Sequence, residues 1–431
     1  MDATLVELVE TLTFRAGYER AVVIAGTTLF GIAAGLAGVF ALLRRRSMVA
    51  DAIGHAALPG ICVAFILATA LGARGMSLPV LMAGAAASAV LGVLAIDAIR
   101  RRTRLPEDAA IGIVLSVFFG AGIVILSYLQ RPGNAAGSPA GLDHFIFGQA
   151  AAMQVADVAV IGVVAFAVAL AVFLFRKEFG LVCFNEGFAS ASGWKTRRID
   201  LAILAMVLVV AVVGLQAVGL VLAVAMLVIP AVAARFWTER LGRMLGVAGL
   251  VGGLSGYAGG AASSLVDDVP TGPIVVLSAG VLLVISLLFA PRRGVIAAAL
   301  GRARLRLRIA GDHLLELAHD LGTRTLDRAE LRRVATVRGW PVWLRPLVVL
   351  ALRRRGSVRR VGISRLELTE AGLRRGAEIA RNHALWTQYL VSYADVAPSH
   401  VDWTVDQVEH VLAEEIVAEL EARMRDKERA A

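Results

Sequence analysis

Residues 29–60 read LFGIAAGLAGVFALLRRRSMVADAIGHAALPG, and this stretch decides the class of fold. One apolar run closes on Arg44-Arg45-Arg46, and a second opens at once on Ser47. An apolar run of about 20 residues is long enough to cross a bilayer as a helix. Arginines gathered between two such runs mark a turn on the cytoplasmic side. Inside the second run Asp51 and His55 stand four apart, on one face of a helix. An aspartate within a membrane helix costs about 2.5–3.5 kcal/mol on insertion scales, so a protein that keeps one uses it for a pathway or a pair.

The pattern repeats outward along the chain. Of its 431 residues, 58% are hydrophobic and 18% charged, with a mean hydropathy of +0.73. Those values exclude an ordinary soluble protein. Spanning helices are expected at 20–43, 47–71, 77–99, 109–130, 154–175, 199–215, 217–236, 244–263 and 272–290, about nine in all. Basic residues fall in alternate loops: after the first helix, at Arg100, Arg101, Arg102 and Arg104, around 176–198, at Arg235, Arg240 and Arg243, and at Arg292 and Arg293. The remaining loops are nearly free of them. This alternation requires an odd number of spans, with the N-terminus outside and the C-terminus in the cytoplasm, and places the chain in the cell (inner or plasma) membrane. It also accounts for the net charge of +10 without nucleic acid. Cys62 and Cys183 imply neither a disulfide framework nor a thiolate zinc site. The acidic N-terminus carries no basic start of a cleavable signal. Small residues crowd the helices, notably around Gly31–Gly38 and 249–260, and predict close helix packing. The outer loop 130–154 reads as a short, partly inserted helix. Asp143 and His144 lie in it, as a solvated pair rather than a metal contact.

Apolar content stops near Ala290, and beyond Pro291-Arg292-Arg293-Gly294 the chain turns charged and amphipathic. The expected organisation is a transmembrane domain over 1–295 and a cytoplasmic domain over 302–431. The fold class is therefore an all-α multi-pass membrane bundle carrying a small winged-helix and helical domain.

Pro59 sharpens the polar pair. Proline has no N–H to bond the carbonyl four residues earlier, which belongs to His55. A carboxylate, an imidazole and a carbonyl oxygen suit manganese, ferrous iron or zinc. Asp51 is also only five residues past Arg46, about 7 Å along a helix. Two readings stay open: a cation held between Asp51 and His55, or an ion pair of Asp51 with the arginines. A homodimer would bring two Asp–His pairs to one axis and supply four ligands.

The run 47–60 resembles the second-helix signature of the ABC importer permeases for zinc, manganese and iron. Cys183-Phe184-Asn185-Glu186-Gly187-Phe188-Ala189-Ser190-Ala191-Ser192-Gly193-Trp194 resembles that family's cytoplasmic loop, with Asn185 where an Asp is commoner. The stretch 217–231, ending Leu227-Val228-Ile229-Pro230-Ala231, resembles its later helix. The resemblance covers about 20–290. It implies a homodimer, or a pair with a paralogous permease, around a central pathway lined by Asp51 and His55. It further implies a coupling helix formed by Asn185, Glu186, Phe188, Ala189, Gly193 and Trp194 that docks into a separate ATPase, and an extracytoplasmic metal-binding protein that delivers the ion. No phosphate-binding Gly-rich loop occurs; Gly193-Trp194-Lys195-Thr196 lacks its pattern. The chain is thus expected to be a transport subunit and not an enzyme, with no catalytic cofactor.

In the last third, leucines at 314–321 recur at helical spacing. The order expected is a helical region over 309–339 broken at 322–325, a helix at 344–355, a two-stranded wing over 357–368, and a helix capped by Thr369. From here the chain resembles the iron- and manganese-dependent repressor family. Arg381-Asn382-His383-Ala384-Leu385-Trp386 and Val408-Glu409-His410-Val411-Leu412 carry the likeness. It implies metal ligands at His383, Asp402, Asp406, Glu409 and His410, with Thr387 where a Glu is expected. On the first helix Asp312 fits a ligand position, and Glu316 is one residue off. Carboxylate at Asp406 in place of a thiol favours manganese. The basic run Arg353-Arg354-Arg355 with Arg359-Arg360 would suit anionic lipid, and DNA is not expected as a partner of a membrane-tethered domain. The function read from the whole is a divalent-metal ABC importer permease whose C-terminal domain senses the ion. The alternatives are a membrane-tethered metal-responsive transcriptional regulator and a permease for a metal chelate.

Overall fold

The computed structural model describes residues 17–71, 78–131, 153–265, 270–361 and 365–393. Asp143, His144, Asp402, Asp406, Glu409 and His410 lie outside them. The chain divides into two compact units, Met1–Ala297 and Ala298–Ala431.

The first unit is helical throughout its described residues: α1 (Tyr18–Leu43), α2 (Ser47–Ala70), α3 (Leu78–Arg102), α4 (Glu107–Leu129), α5 (Val155–Phe184), the short α6 (Glu186–Ala191), α7 (Thr196–Val218), α8 (Leu220–Trp237), α9 (Leu241–Leu265) and α10 (Thr271–Phe289). Eight of these are long and apolar enough to cross a membrane, and α8 is a shorter apolar helix. The eight match eight of the nine expected spans, and α8 lies on the remaining stretch, 217–236. Backbone hydrogen bonds closed within each helix are what make such a segment stable in hydrocarbon. Phe166 and Phe173 on α5 are each 70% exposed, as residues facing lipid are. That helix runs nine residues past the apolar stretch expected from sequence, ending at Phe184. Phe179 on the extension meets Phe40 edge-on at 5.2 Å, which anchors it to α1.

The helices fall into two packing groups. α1 packs along α9, with α5, α8 and α10 around them; α2 packs on α3 and α4; α7 touches members of both. Each group is held by backbone contact. A Cβ added to Gly31 of α1 would run into the Gly252 carbonyl of α9, and the reverse holds too; Gly60 and Gly84 do the same between α2 and α3. Such close crossings bring dispersion contacts that a bilayer does not otherwise favour. The Thr27 hydroxyl lies 2.9 Å from the Gly256 carbonyl oxygen across the α1–α9 crossing.

Between α1 and α2 there is almost no loop. Arg46 N–H bonds the Ala41 carbonyl at 2.8 Å and Arg45 N–H the Leu42 carbonyl at 3.0 Å, the paired bonds of a Schellman turn. Arg45 holds the left-handed position of that turn at φ 58°, where glycine is usual.

The second unit contains α11 (Val295–Asp320, which begins just before it), β1 (Thr325–Leu326), α12 (Arg328–Val337), α13 (Leu344–Arg354), β2 (Val358–Val361), β3 (Arg365–Leu368) and α14 (Glu370–Tyr393). Helix α11 starts well before the helical region expected at 309, because the Arg, Leu and Ala of 298–308 are strong helix formers despite their charge. The wing has a third strand. The sheet order is β1-β3-β2, all antiparallel, with Leu326 opposite Leu366 and Val358 opposite Leu368. Leu314, Leu315, Val348, Leu352 and Leu368 fill the core. Asp327 and Glu330 form a reciprocal capping box on α12. The Thr369 hydroxyl accepts the Gly372 N–H at the start of α14, as its position predicts.

Candidate metal pathway and a second acidic–imidazole site

Asp51 and His55 occupy the second and third turns of α2. His55 Nε2 lies 3.4 Å from Asp51 Oδ1. Two donors sharing one small divalent ion at about 2.1 Å stand roughly 3.0–3.4 Å apart, so the pair needs little movement to hold a cation. The imidazole is set from behind by Phe119 of α4, edge-on at 4.6 Å. The side chain of Asp51 is 42% exposed and that of His55 22%, so the pair opens on the surface of the α2–α4 group. His55 Nδ1 is buried and has no hydrogen-bond partner. Pro59 stands inside α2, where it can donate nothing to the His55 carbonyl.

The competing ion-pair reading is corrected by the partners of the arginines. Arg44 meets Glu186 and Asp200, and Arg46 meets Glu107 and Asp200, so Asp51 is left to His55. Phe119 was not readable from sequence, since nothing local links it to a residue more than sixty positions earlier.

The loop stretch 185–194 forms α6 and the turn after it. The Asn185 side chain accepts the Phe188 N–H at 2.9 Å, so the residue commoner as Asp keeps a helix-capping function here. Ala189 is fully buried, whereas Phe188 and Trp194 are 59% and 46% exposed. Gly193 takes φ 82°, which turns the chain toward α7. The result is a short, rigid, partly apolar knob.

In the second unit, Glu316 and His383 come together: His383 Nδ1 lies 3.0 Å from Glu316 Oε1. His313 Nδ1 stands 3.7 Å from the other carboxylate oxygen. Asp312, on the same helix, faces Arg375 at 3.7 Å. Burial would raise the Glu316 pKa, but hydrogen bonds and charge from His313 and His383 bring it down to about 2. The spacing of His313 and Glu316, three apart on α11, was the available sign that both share a face. They line a cavity of about 730 Å³ bounded by α11, α12 and α14. Among the described residues no group of three or more His, Cys, Asp or Glu is arranged to hold a metal ion.

A multi-pass helical bundle with a polar pair on one intramembrane helix, and a separate winged helical unit, defines a membrane transport protein with an added domain. Residues 19–291 match the ABC 3 transport family, and the chain belongs to that family. Residues 369–430 match the iron dependent repressor, metal binding and dimerisation domain. The chain is 37% identical over 375 residues to the manganese transport system membrane protein MntC of Bacillus subtilis (strain 168), covering 87% of this chain and 85% of that protein. It is 40% identical over 285 residues to the zinc transport system membrane protein TroC of Treponema pallidum (strain Nichols), covering 66% and 93%. Among solved structures it resembles PsaBC from Streptococcus pneumoniae in complex with Fab, with a TM-score of 0.56 and 27% identity over 67% of this chain and 97% of that one.

Proposed function

We propose that this chain is the membrane-spanning permease subunit of an ABC importer for divalent metal ions, with manganese favoured over zinc and iron. A separate ATPase subunit drives it, and an extracytoplasmic metal-binding protein supplies the ion. The observation that carries this reading is the Asp51–His55 pair: two hard-to-intermediate donors at cation-sharing distance on an intramembrane helix. Manganese is favoured because similarity to the manganese transport protein extends over most of this chain, including the C-terminal unit. Residues 1–295 are the permease part. In it two copies face each other so that two Asp–His pairs complete one site. The N-terminus is outside and the C-terminal domain cytoplasmic. Asn185, Glu186, Phe188, Ala189, Gly193 and Trp194 form the knob that docks into the ATPase, with Phe188 and Trp194 as its apolar contacts. The test is uptake into vesicles holding this permease and its ATPase, with manganese, zinc and ferrous iron supplied in turn and in competition. ATP-dependent manganese accumulation that the other two displace only weakly is expected. Absence of uptake of all three overturns the reading.

Residues 302–431 are proposed to act as a cytoplasmic sensor. Glu316 and His383 supply a carboxylate and an imidazole of the right chemistry for a regulatory metal. Asp402, Asp406, Glu409 and His410, outside the described residues, would complete the ligand set. When bound, that metal would fix the spacing of its ligand segments. Deleting 302–431 is expected to leave uptake intact but to remove its slowing as internal manganese rises. An unchanged response in the truncated protein would refute the sensor.

A further inference from the structure

At one end of the membrane unit, charges alternate in an unbroken series that is buried at its centre. Arg44 Nη1 meets Glu186 Oε2 at 2.9 Å and Arg44 Nη2 meets Asp200 Oδ1 at 3.0 Å. Arg46 takes the other Asp200 oxygen at 2.7 Å and, through Nε, Glu107 at 2.6 Å. Glu107 then faces Arg100 at 3.3 Å. The Arg44 and Arg46 side chains are only 11% and 6% exposed, and that of Asp200 14%. The two contacts on Asp200 are therefore not surface pairs that salt would screen to nothing, whereas Glu186 at the outer end of the series is 56% exposed.

What the series connects gives it meaning. Glu186 is the first residue of α6, and Arg44 closes α1. Asp200 is on α7, which touches both packing groups; Arg46 precedes α2, Glu107 opens α4, and Arg100 lies on α3. The series therefore crosses the seam between the α1 group and the α2–α4 group. It does so on the side where α6 projects. Asp200 is the shared member: one oxygen holds the arginine of each group. The two rungs differ in kind. Arg46 donates a hydrogen bond to Asp200, whereas Asp200 Oδ1 and Arg44 Nε make none, so the Arg44 rung is held by charge alone. Burial lowers the Arg44 pKa, but Asp200 and Glu186 outweigh it and raise the guanidinium above its ordinary value, so it stays charged.

We propose that Arg46 and Asp200 are the coupling rung that passes displacement of α6 to the start of α2, and so to the Asp51–His55 pair five residues further on. This rests on the reading of α6 as the ATPase-docking element and of Asp51 and His55 as pathway ligands. When α6 moves, Glu186 draws on Arg44. Asp200 trades its charge-only contact, and the hydrogen-bonded Arg46 tilts α2, with α3 and α4 packed on it, against the α1 group. Arg46 is a positioning residue and does not touch the ion.

The test uses the full permease with its ATPase in vesicles, measuring ATP hydrolysis and manganese uptake in the same preparation. Arg46→Gln and Asp200→Asn are expected to keep hydrolysis within about twofold and to lower ions moved per ATP by at least about tenfold, a loss confined to coupling. Glu107→Gln, which leaves Arg46 and Asp200 in place, is the milder variant should either of the first two fail to assemble, and is expected to lower the same ratio by about threefold. Arg46→Lys should restore part of the ratio. Hydrolysis and uptake falling in parallel in the assembled variants would show a merely structural role and overturn the proposal, as would an unchanged ratio in all of them. If the unaltered complex moves no metal, it is the transport reading that fails; a coupled unaltered complex with fully coupled variants removes only the rung.

Discussion

Asp51→Ala and His55→Ala are each expected to reduce manganese uptake at least about tenfold, with the complex still assembling and hydrolysing ATP. Removal of even an outer partner of a metal ligand commonly costs about 10–100-fold in affinity or activity, so loss of a direct ligand should cost no less. Asp51 supplies the charge and His55 the more covalent donor, so the two variants should differ in selectivity. Asp51→Asn keeps size and removes charge, and is expected to weaken manganese more than zinc, since manganese leans more on carboxylate oxygen. His55→Phe keeps an aromatic ring against Phe119 but no donor, which separates packing from ligation. Uptake equal to the unaltered protein in both alanine variants would remove the pair from the pathway. Size-exclusion profiles of the detergent-extracted protein check assembly.

A second large effect is expected at the α1–α9 crossing. In Gly252→Val the new side chain meets the Gly31 carbonyl, which is backbone and has no rotamer to yield. The helices must part, and the neighbouring contacts of Gly35 with Ala248 and of Gly256 with Thr27 go with them. Overpacking a well-fitted interior costs about 1–3 kcal/mol, and a crossing made of two backbones belongs at the upper end. The thermal midpoint of the detergent-solubilised permease should drop by several degrees. Gly246, on the same helix, has open space where a Cβ would sit, so Gly246→Ala should leave the midpoint level or raise it slightly. Equal midpoints for all three proteins would mean that the crossing contributes nothing to stability.

The spans were legible because each is an apolar run of bilayer length with arginines gathered in the loop at one of its ends, a signal carried within about 25 residues. The Asp51–His55 pairing was legible for the same reason: its geometry is local to one helix. What sequence could not supply is the partner across helices. Arg46 is only five residues from Asp51 in the chain yet pairs with Asp200, on a helix 154 positions later. Strand β1 is two residues long and too short to display alternation. Helix α11 was hidden by its arginines, which look like a linker to a hydropathy reading and like good helix formers to a propensity one. Glu316 meets His383 from another helix, so that contact too lay beyond a local reading.

The turn at Arg44-Arg45-Arg46 restricts the kinds of motion open to the pathway. A Schellman closure with Arg45 in the left-handed position has no slack, because its two crossed hydrogen bonds tie Arg45 and Arg46 to Leu42 and Ala41. A helix fastened that way at its first residue has a fixed end. Helix α2 cannot slide like a piston along the bilayer normal without breaking both bonds. It can swing about that end, and a swing displaces a residue in proportion to its distance from the pivot. Asp51 and His55, in the second and third turns, would then travel little and keep their spacing, while the far end of α2 near Ala70 sweeps the widest arc. On this geometry a push at Arg46 reaches the ligands as a small tilt and the far end as a large one, so the widest opening and closing belong to the opposite end of the helix.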